Sequence, residues 1–154
     1  MNKEKVSEII FQYLQDQGYR PKLDADKDII LSKEGLTFCI VLPDESESYY
    51  QIILQAKIDS VARNFMELTI MTITRRIRAI KGWLKGDVMT LTIECYHDRP
   101  TEFITYLERY FMHILGAVSM CRDLMVSVDA QEREDTGHET HATVLPDETA
   151  LIVD

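Results

Sequence analysis

Histidines and cysteines are the side chains with most scope for chemistry in this chain of 154 residues. His138-Glu139-Thr140-His141 sets two imidazoles three apart, a spacing that could share a metal on one helix face. The segment around it has no helical apolar period and no second ligand pair, and the zinc-protease order His-Glu-x-x-His is absent. It reads as an exposed polar linker. His97-Asp98 could offer acid–base chemistry at a strand end, but no serine, cysteine or second base is tied to it by a recognisable pattern. Cys39, Cys95 and Cys121 are far apart in apolar surroundings, with no Cys-x-x-Cys, and read as buried free thiols. The glycines are scattered and form no phosphate-binding loop. The expectation is a protein without catalytic residues, metal or cofactor, and not an enzyme.

A second constellation is basic and aromatic. Arg75, Arg76, Arg78, Lys81 and Lys85 form the densest cationic stretch, with Trp83 inside it. Such interleaving on a sheet is what a single-stranded nucleic-acid platform uses. The charge distribution speaks against it. Of the net charge of −9, residues 129–154 contribute −7, from eight acidic residues and Arg133, leaving the body at −2. Nucleic-acid binding is therefore the alternative reading. Cations at a helix C-terminus and a solvated sheet face account for the same residues.

The elements that must position these residues follow from apolar spacing. Val6, Ile9, Ile10, Tyr13 and Leu14 mark a helix over residues 3–17, stopped by Gly18. Strands follow over 28–33 and 36–42, joined tightly at Glu34-Gly35, and a third runs over 50–58 beyond the polar loop at 43–48. In that third strand Tyr50, Ile52, Leu54, Ala56 and Ile58 share one face, and Gln51, Gln55 and Lys57 the other. Asp59 or Ser60 is placed to cap a helix with the stripe Val61, Phe65, Leu68 and Thr72. The β-branched run from Thr69 to Thr74 leaves its change into strand open between Ile70 and Arg78. A hairpin turns at Lys85-Gly86-Asp87, with Ile80, Gly82, Leu84, Met89, Leu91, Ile93 and Cys95 inward. Lys81, Trp83, Thr90, Thr92 and Glu94 then share the outward face, a candidate protein interface with Trp83 as its anchor. Pro100 breaks the chain, Thr101 can cap, and a last helix runs to about Arg122.

The expected fold class is α+β, in the order α-β-β-β-α-β-β-α, an antiparallel twisted sheet with helices packed on one face. Residues 1–127 form one domain and 128–154 an acidic, flexible tail, whose Ala150-Leu151-Ile152-Val153 could add to a sheet edge or dock on a partner. No apolar run approaches a membrane span and no signal-peptide core is present, so a cytoplasmic home is expected.

This order of elements resembles the YbjN family, also described as sharing the architecture of type III secretion chaperones. The resemblance covers residues 3–122. It rests on the first helix ending Gln17-Gly18-Tyr19, the hairpin of Ile29–Leu31 with Phe38–Val41, and the strand Ile52-Ile53-Leu54-Gln55-Ala56. It rests also on Gly82-Trp83-Leu84-Lys85-Gly86-Asp87-Val88-Met89-Thr90-Leu91 leading into Pro100-Thr101. The resemblance implies a non-enzymatic regulator or chaperone-like binding protein, often a homodimer, with no catalytic residues to carry over. The expected function is binding of a protein partner's segment through an open sheet face or edge.

Overall fold

The structure, a computed structural model, describes residues 2–43, 48–58 and 63–138. The expected cap at Asp59 or Ser60, the stripe residue Val61, residues 44–47 of the polar loop, and everything from Glu139 onward lie outside these residues.

Among the described residues three helices pack on one face of a six-stranded antiparallel sheet, giving the expected α+β fold. Helix α1 (Lys3–Asp16) begins where the Asn2 side chain accepts a bond from the Lys5 amide at 3.1 Å. It buries Val6, Ser7, Ile10 and Leu14. It ends before Gly18, whose φ of +84° only glycine adopts cheaply. The strands are β1 (Lys22–Leu23), β2 (Ile29–Lys33), β3 (Leu36–Val41), β4 (Tyr49–Lys57), β5 (Ile80–Lys85) and β6 (Val88–Tyr96). Their order across the sheet is β1-β2-β3-β4-β6-β5. Glu34 and Gly35 both have positive φ, as a two-residue hairpin turn of type I′ requires. Strict alternation sends Ile29, Leu31, Phe38, Ile40, Tyr50, Ile52, Leu54, Met89, Leu91 and Ile93 into the core.

Helix α3 (Pro100–His138) is laid along this inner face through Phe103, Leu107, Phe111, Ile114, Ala117, Val118 and Cys121. Phe111 meets the Phe38 ring edge-on at 5.0 Å, and Phe103 stacks on Tyr50 at 4.3 Å.

Helix α2 (Arg63–Arg76) corrects one expectation. Its buried face is Met66, Thr69, Ile70 and Ile73, whereas Leu68 is 60% and Met71 51% exposed. The expected stripe of Phe65, Leu68 and Thr72 is therefore turned away from the core. Two apolar stripes compete on this helix, and the sheet took the one carrying isoleucines. Ile70 fits there because Gly82 of β5 has no side chain: a Cβ at that position would stand 2.9 Å from the Ile70 Cγ2. The β-branched run stays helical to Arg76, with the Thr72 and Thr74 hydroxyls donating to the carbonyls of Leu68 and Ile70, both at 2.9 Å.

Three further differences are local. The short strand β1 was not foreseen. It is folded back by Asp24, whose carboxylate accepts from the amides of Asp26 and Asp28, both at 2.9 Å. Helix α3 begins at Pro100 rather than after a Thr101 cap, because proline needs no N–H partner in a first turn. The Arg99 carbonyl takes the amides of Glu102 and Phe103 at 3.0 and 3.3 Å. Finally, α3 continues past Arg122 to His138, through a stretch whose Ala130, Gln131, Glu132, Arg133 and Glu134 are strong helix formers. His138, the first residue of the histidine cluster, closes this helix.

Candidate functional surface

Because the helices occupy one face, the other face of the sheet is presented outward, and it is assembled in register. Ile30 pairs with Cys39, Cys39 with Ile53, Ile53 with Thr92, and Thr92 with Lys81, so one row crosses five strands. In the neighbouring row Gln55 pairs with Thr90 and Thr90 with Trp83. Ile30, Thr37, Cys39, Ile53 and Gln55 line a shallow hollow of about 340 Å³. The middle of this face carries no charge.

Its expected members divide by reach. Trp83 stands on the outer face, 44% exposed, beside Lys81. Glu94 forms an ion pair with Lys81, and that hydrogen bond holds the Glu94 carboxyl below the usual carboxylate range. Thr90 and Thr92 point to the same side but do not reach solvent, with exposures of 3% and 0%. Strand β6 is flanked by β4 and β5, and the longer side chains on both neighbours close over the two short threonines. Gln55 bridges across to the Thr90 hydroxyl at 3.5 Å, while the Thr92 hydroxyl has no hydrogen-bond partner among the described residues. The surface a partner could touch is therefore Trp83, Lys81 and Glu94 with Gln55, Ile53, Cys39 and Ile30. Of the last three, Ile53 and Ile30 were assigned to neither face, and Cys39, expected as a buried thiol, is only half-buried because it points to this uncovered side. The signal for them is in the runs Ile29-Ile30-Leu31 and Ile52-Ile53-Leu54, apolar on both faces where a solvated strand alternates.

The basic residues are distributed over two layers. Arg75 and Arg76 end α2 in the helical layer, Arg78 lies in the connection to β5, and Lys81 and Lys85 lie on the outer side of β5. All five are exposed, but they do not share one face.

His97 is the other residue whose setting differs from its reading as surface. It is half-buried, stacked on Tyr106 at 5.7 Å and edge-on to Phe103 and Tyr50. Its Nε2 lies 2.8 Å from the Tyr110 hydroxyl. Phe103, Tyr106 and Tyr110, at helical spacing opposite the strand end, were the available sign of this cage. Cys95 adjoins it, its Sγ 3.8 Å from the Tyr50 carbonyl. A thiol, a phenol and an imidazole thus stand together, but the first two are poor participants. Burial pushes the Cys95 thiol up to about 11 and the Tyr110 phenol up to about 12. Cys121, against the Met89 sulfur at 4.0 Å, is likewise raised to about 11 by burial. At neutral pH these thiols are protonated and unreactive.

The pH consequence has a definite sign. Each folded-state thiol binds its proton more tightly than the unfolded chain, so this stability is complete below pH 9 and is lost as pH rises toward 11. A melting-temperature series across that interval is expected to decline; a flat profile would show that burial does not govern these thiols.

A wider hollow of about 790 Å³ runs along α1, with Phe11, Leu23, Glu4, Glu8 and Asp16 among its lining residues. Among the described residues no three His, Cys, Asp or Glu side chains converge as metal ligands. No described helix is long and apolar enough to cross a membrane.

No family model matches the sequence, and no curated protein is significantly similar to it. Solved structures are similar in fold. YbjN from E. coli, described as a candidate transcription regulator, superposes with a TM-score of 0.57 at 12% identity, over 75% of this chain and 88% of that one. An uncharacterized protein from Methanothermobacter thermautotrophicus gives a TM-score of 0.56 at 12% identity, over 77% of this chain and 97% of the other. By this superposition the chain has a YbjN-like α+β fold.

Proposed function

We propose that this chain is a non-enzymatic binding or regulatory protein that holds a segment of a protein partner on the outer face of its sheet. The observation that carries this reading is Trp83: a large aromatic side chain, 44% exposed, on a face whose centre is uncharged and over which no described helix packs. Aromatic anchors of this kind dominate interface energetics because they bury much area at little entropic cost. The chemistry of Cys95 and Tyr110 supports the non-enzymatic part, since burial holds their protons rather than poising them. The fold likeness to a candidate regulator points the same way. The role is chaperone-like, in that a partner segment is covered rather than transformed. The same face serves a homodimer, a second copy being one occupant of an uncharged surface.

Trp83→Ala tests this directly. Its association, measured by light scattering for the dimer and by capture of a partner from lysate, is expected to weaken by about tenfold or more. The melting temperature should stay within about 2 °C of the parent, as for a surface substitution. Loss of folding would make Trp83 a core residue, and unchanged association would remove the outer face from consideration.

A further inference from the structure

The two edges of the sheet are unlike. Strand β1 closes one side with only two residues, a length that offers little to a further strand. The other side ends in β5, six residues in unbroken register with β6 from Ile80–Ile93 to Lys85–Val88. Among the described residues no strand pairs with its far edge. Strand β5 holds no proline, its inward positions Ile80, Gly82 and Leu84 carry no charge, and Lys81 and Lys85 both point outward. The bulge, proline or inward charge that usually blocks such an edge is missing here.

Incompletely covered apolar groups border this edge on both sides. Helix α2 lies over β5, with Ile70 against Gly82. The flank of α2 that meets α3 holds Phe65, Thr69 and Thr72, all buried or half-buried. The opposite flank, with Glu67, Met71 and Thr74, is exposed on the side of the free edge. Leu84 beneath it is only half-buried, and Trp83 is exposed on the other face. Charge is uneven along the edge. Because α2 and β5 run in opposite directions, Arg75 and Arg76 share the Ile80 end with Arg78 and Lys81, against the carboxylate of Glu94 that pairs with Lys81. At the other end Lys85 and Lys57 stand with Glu67 and Asp87, and Asp59 lies shortly ahead of α2 in sequence. The cationic excess is confined to the Ile80 end.

We propose that the free edge of β5 takes up an extended segment of a protein partner as a seventh strand, antiparallel to β5, with apolar side chains inward and carboxylates toward its C-terminal end. An antiparallel strand ends beside Ile80, so its carboxylates meet Arg75, Arg78 and Lys81. Its apolar side chains cover Leu84 and Met71, and its backbone satisfies the open edge groups. A second copy fits less well. Joined edge to edge, it would set the two α2 helices over strands only about 5 Å apart, whereas packed helices stand about 8–10 Å apart.

Fluorescence anisotropy with a labelled synthetic strand tests this on the full chain. The probe is a peptide of about eight residues, valine alternating with threonine, with glutamate replacing the last two threonines. It is expected to bind saturably, and at least about tenfold more tightly than its lysine-for-glutamate counterpart. N-methylation separates strand addition from side-chain contact, since only alternate N–H groups of an added strand face β5. Methylating the valine amides or the threonine amides should abolish binding in one case alone. Arg78→Glu, at an exposed position outside the sheet, should weaken the acidic probe about fivefold or more and move the melting temperature by less than about 2 °C. No saturable binding up to about 1 mM, equal binding of the two probes, equal effects of the two methylations, or an Arg78→Glu chain that binds unchanged overturns the proposal. Binding that strengthens as the chain is diluted would give the edge to a second copy and overturn it too. The edge is read through backbone N–H groups and Arg78, and the outer face through Trp83→Ala, so either reading can fail without the other.

Discussion

Phe111→Ala is expected to lower stability by about 3–5 kcal/mol, the range for removing a fully buried phenylalanine. Its ring is wholly buried over the centre of the sheet, edge-on to Phe38 at 5.0 Å and tilted against Tyr19 at 6.2 Å. The cost should fall high in the range because the space cannot collapse easily. Above the ring lies a polar cover: Tyr19 donates to Glu108 at 2.7 Å, and Lys33 reaches Glu108 at 3.0 Å while hydrogen-bonding the Tyr19 hydroxyl. The Lys33 ammonium is also 5.6 Å from the Phe111 ring. Moving inward would cost these groups their geometry and hydration. Denaturant unfolding should show an earlier midpoint, with a melting temperature lower by about 10 °C or more. A loss below about 1 kcal/mol would mean that the core repacks around the gap.

The second large effect is expected at Asp28, a nearly buried carboxylate that ties three segments together. Its Oδ1 accepts the Leu42 amide at 2.9 Å and the Lys3 ammonium at 2.8 Å, and its own amide donates to Asp24. Asp28→Ala strands the Leu42 N–H in a buried site and removes the acceptor facing Lys3. The expected cost is about 2–4 kcal/mol, since an orphaned buried donor loses its full solvation. Asp28→Asn keeps an oxygen for Leu42 but not the charge for Lys3, so it should recover about half of the loss. Equal losses in the two variants, read from unfolding midpoints, would assign the whole effect to the charge.

Asp28 also illustrates what the sequence conceals. Its position at the head of a strand was legible; its two distant partners were not, because nothing local specifies them. The hairpins were legible for the opposite reason. Glu34-Gly35 and Gly86-Asp87 carry their turn geometry in one or two residues, and the alternation beside them fixes which side chains go inward. For α2 the apolar period was present twice. Only the bare backbone at Gly82, brought near by β5, decides that Ile70 rather than Leu68 faces the sheet. Trp83 was placed on the outer face by alternation alone. That Thr90 and Thr92 are covered there depends on the neighbouring strands, and sheet order was not readable from spacing. Likewise His97 looked solvent-facing until α3 laid Tyr106 and Tyr110 over it.

The strand order carries a consequence for how the chain assembles. Strand β6 is synthesised after β5 yet lies between β5 and β4, with nine residue pairs from Tyr49–Tyr96 to Lys57–Val88. Residues 2–57 and 63–138 can each form their hairpins by local contacts, but the β4–β6 seam joins positions as many as 47 apart in the chain. Closing it is the slow, entropically costly event, and it must follow formation of the β5–β6 hairpin. Until then Ile52, Leu54, Leu91 and Ile93 stand at unpaired strand edges, where another copy could pair in place of the proper half. Substitutions in the seam therefore act mainly on the folding rate, and those around β1 mainly on unfolding. An incompletely synthesised chain ending before residue 88 would expose β4 as an open template.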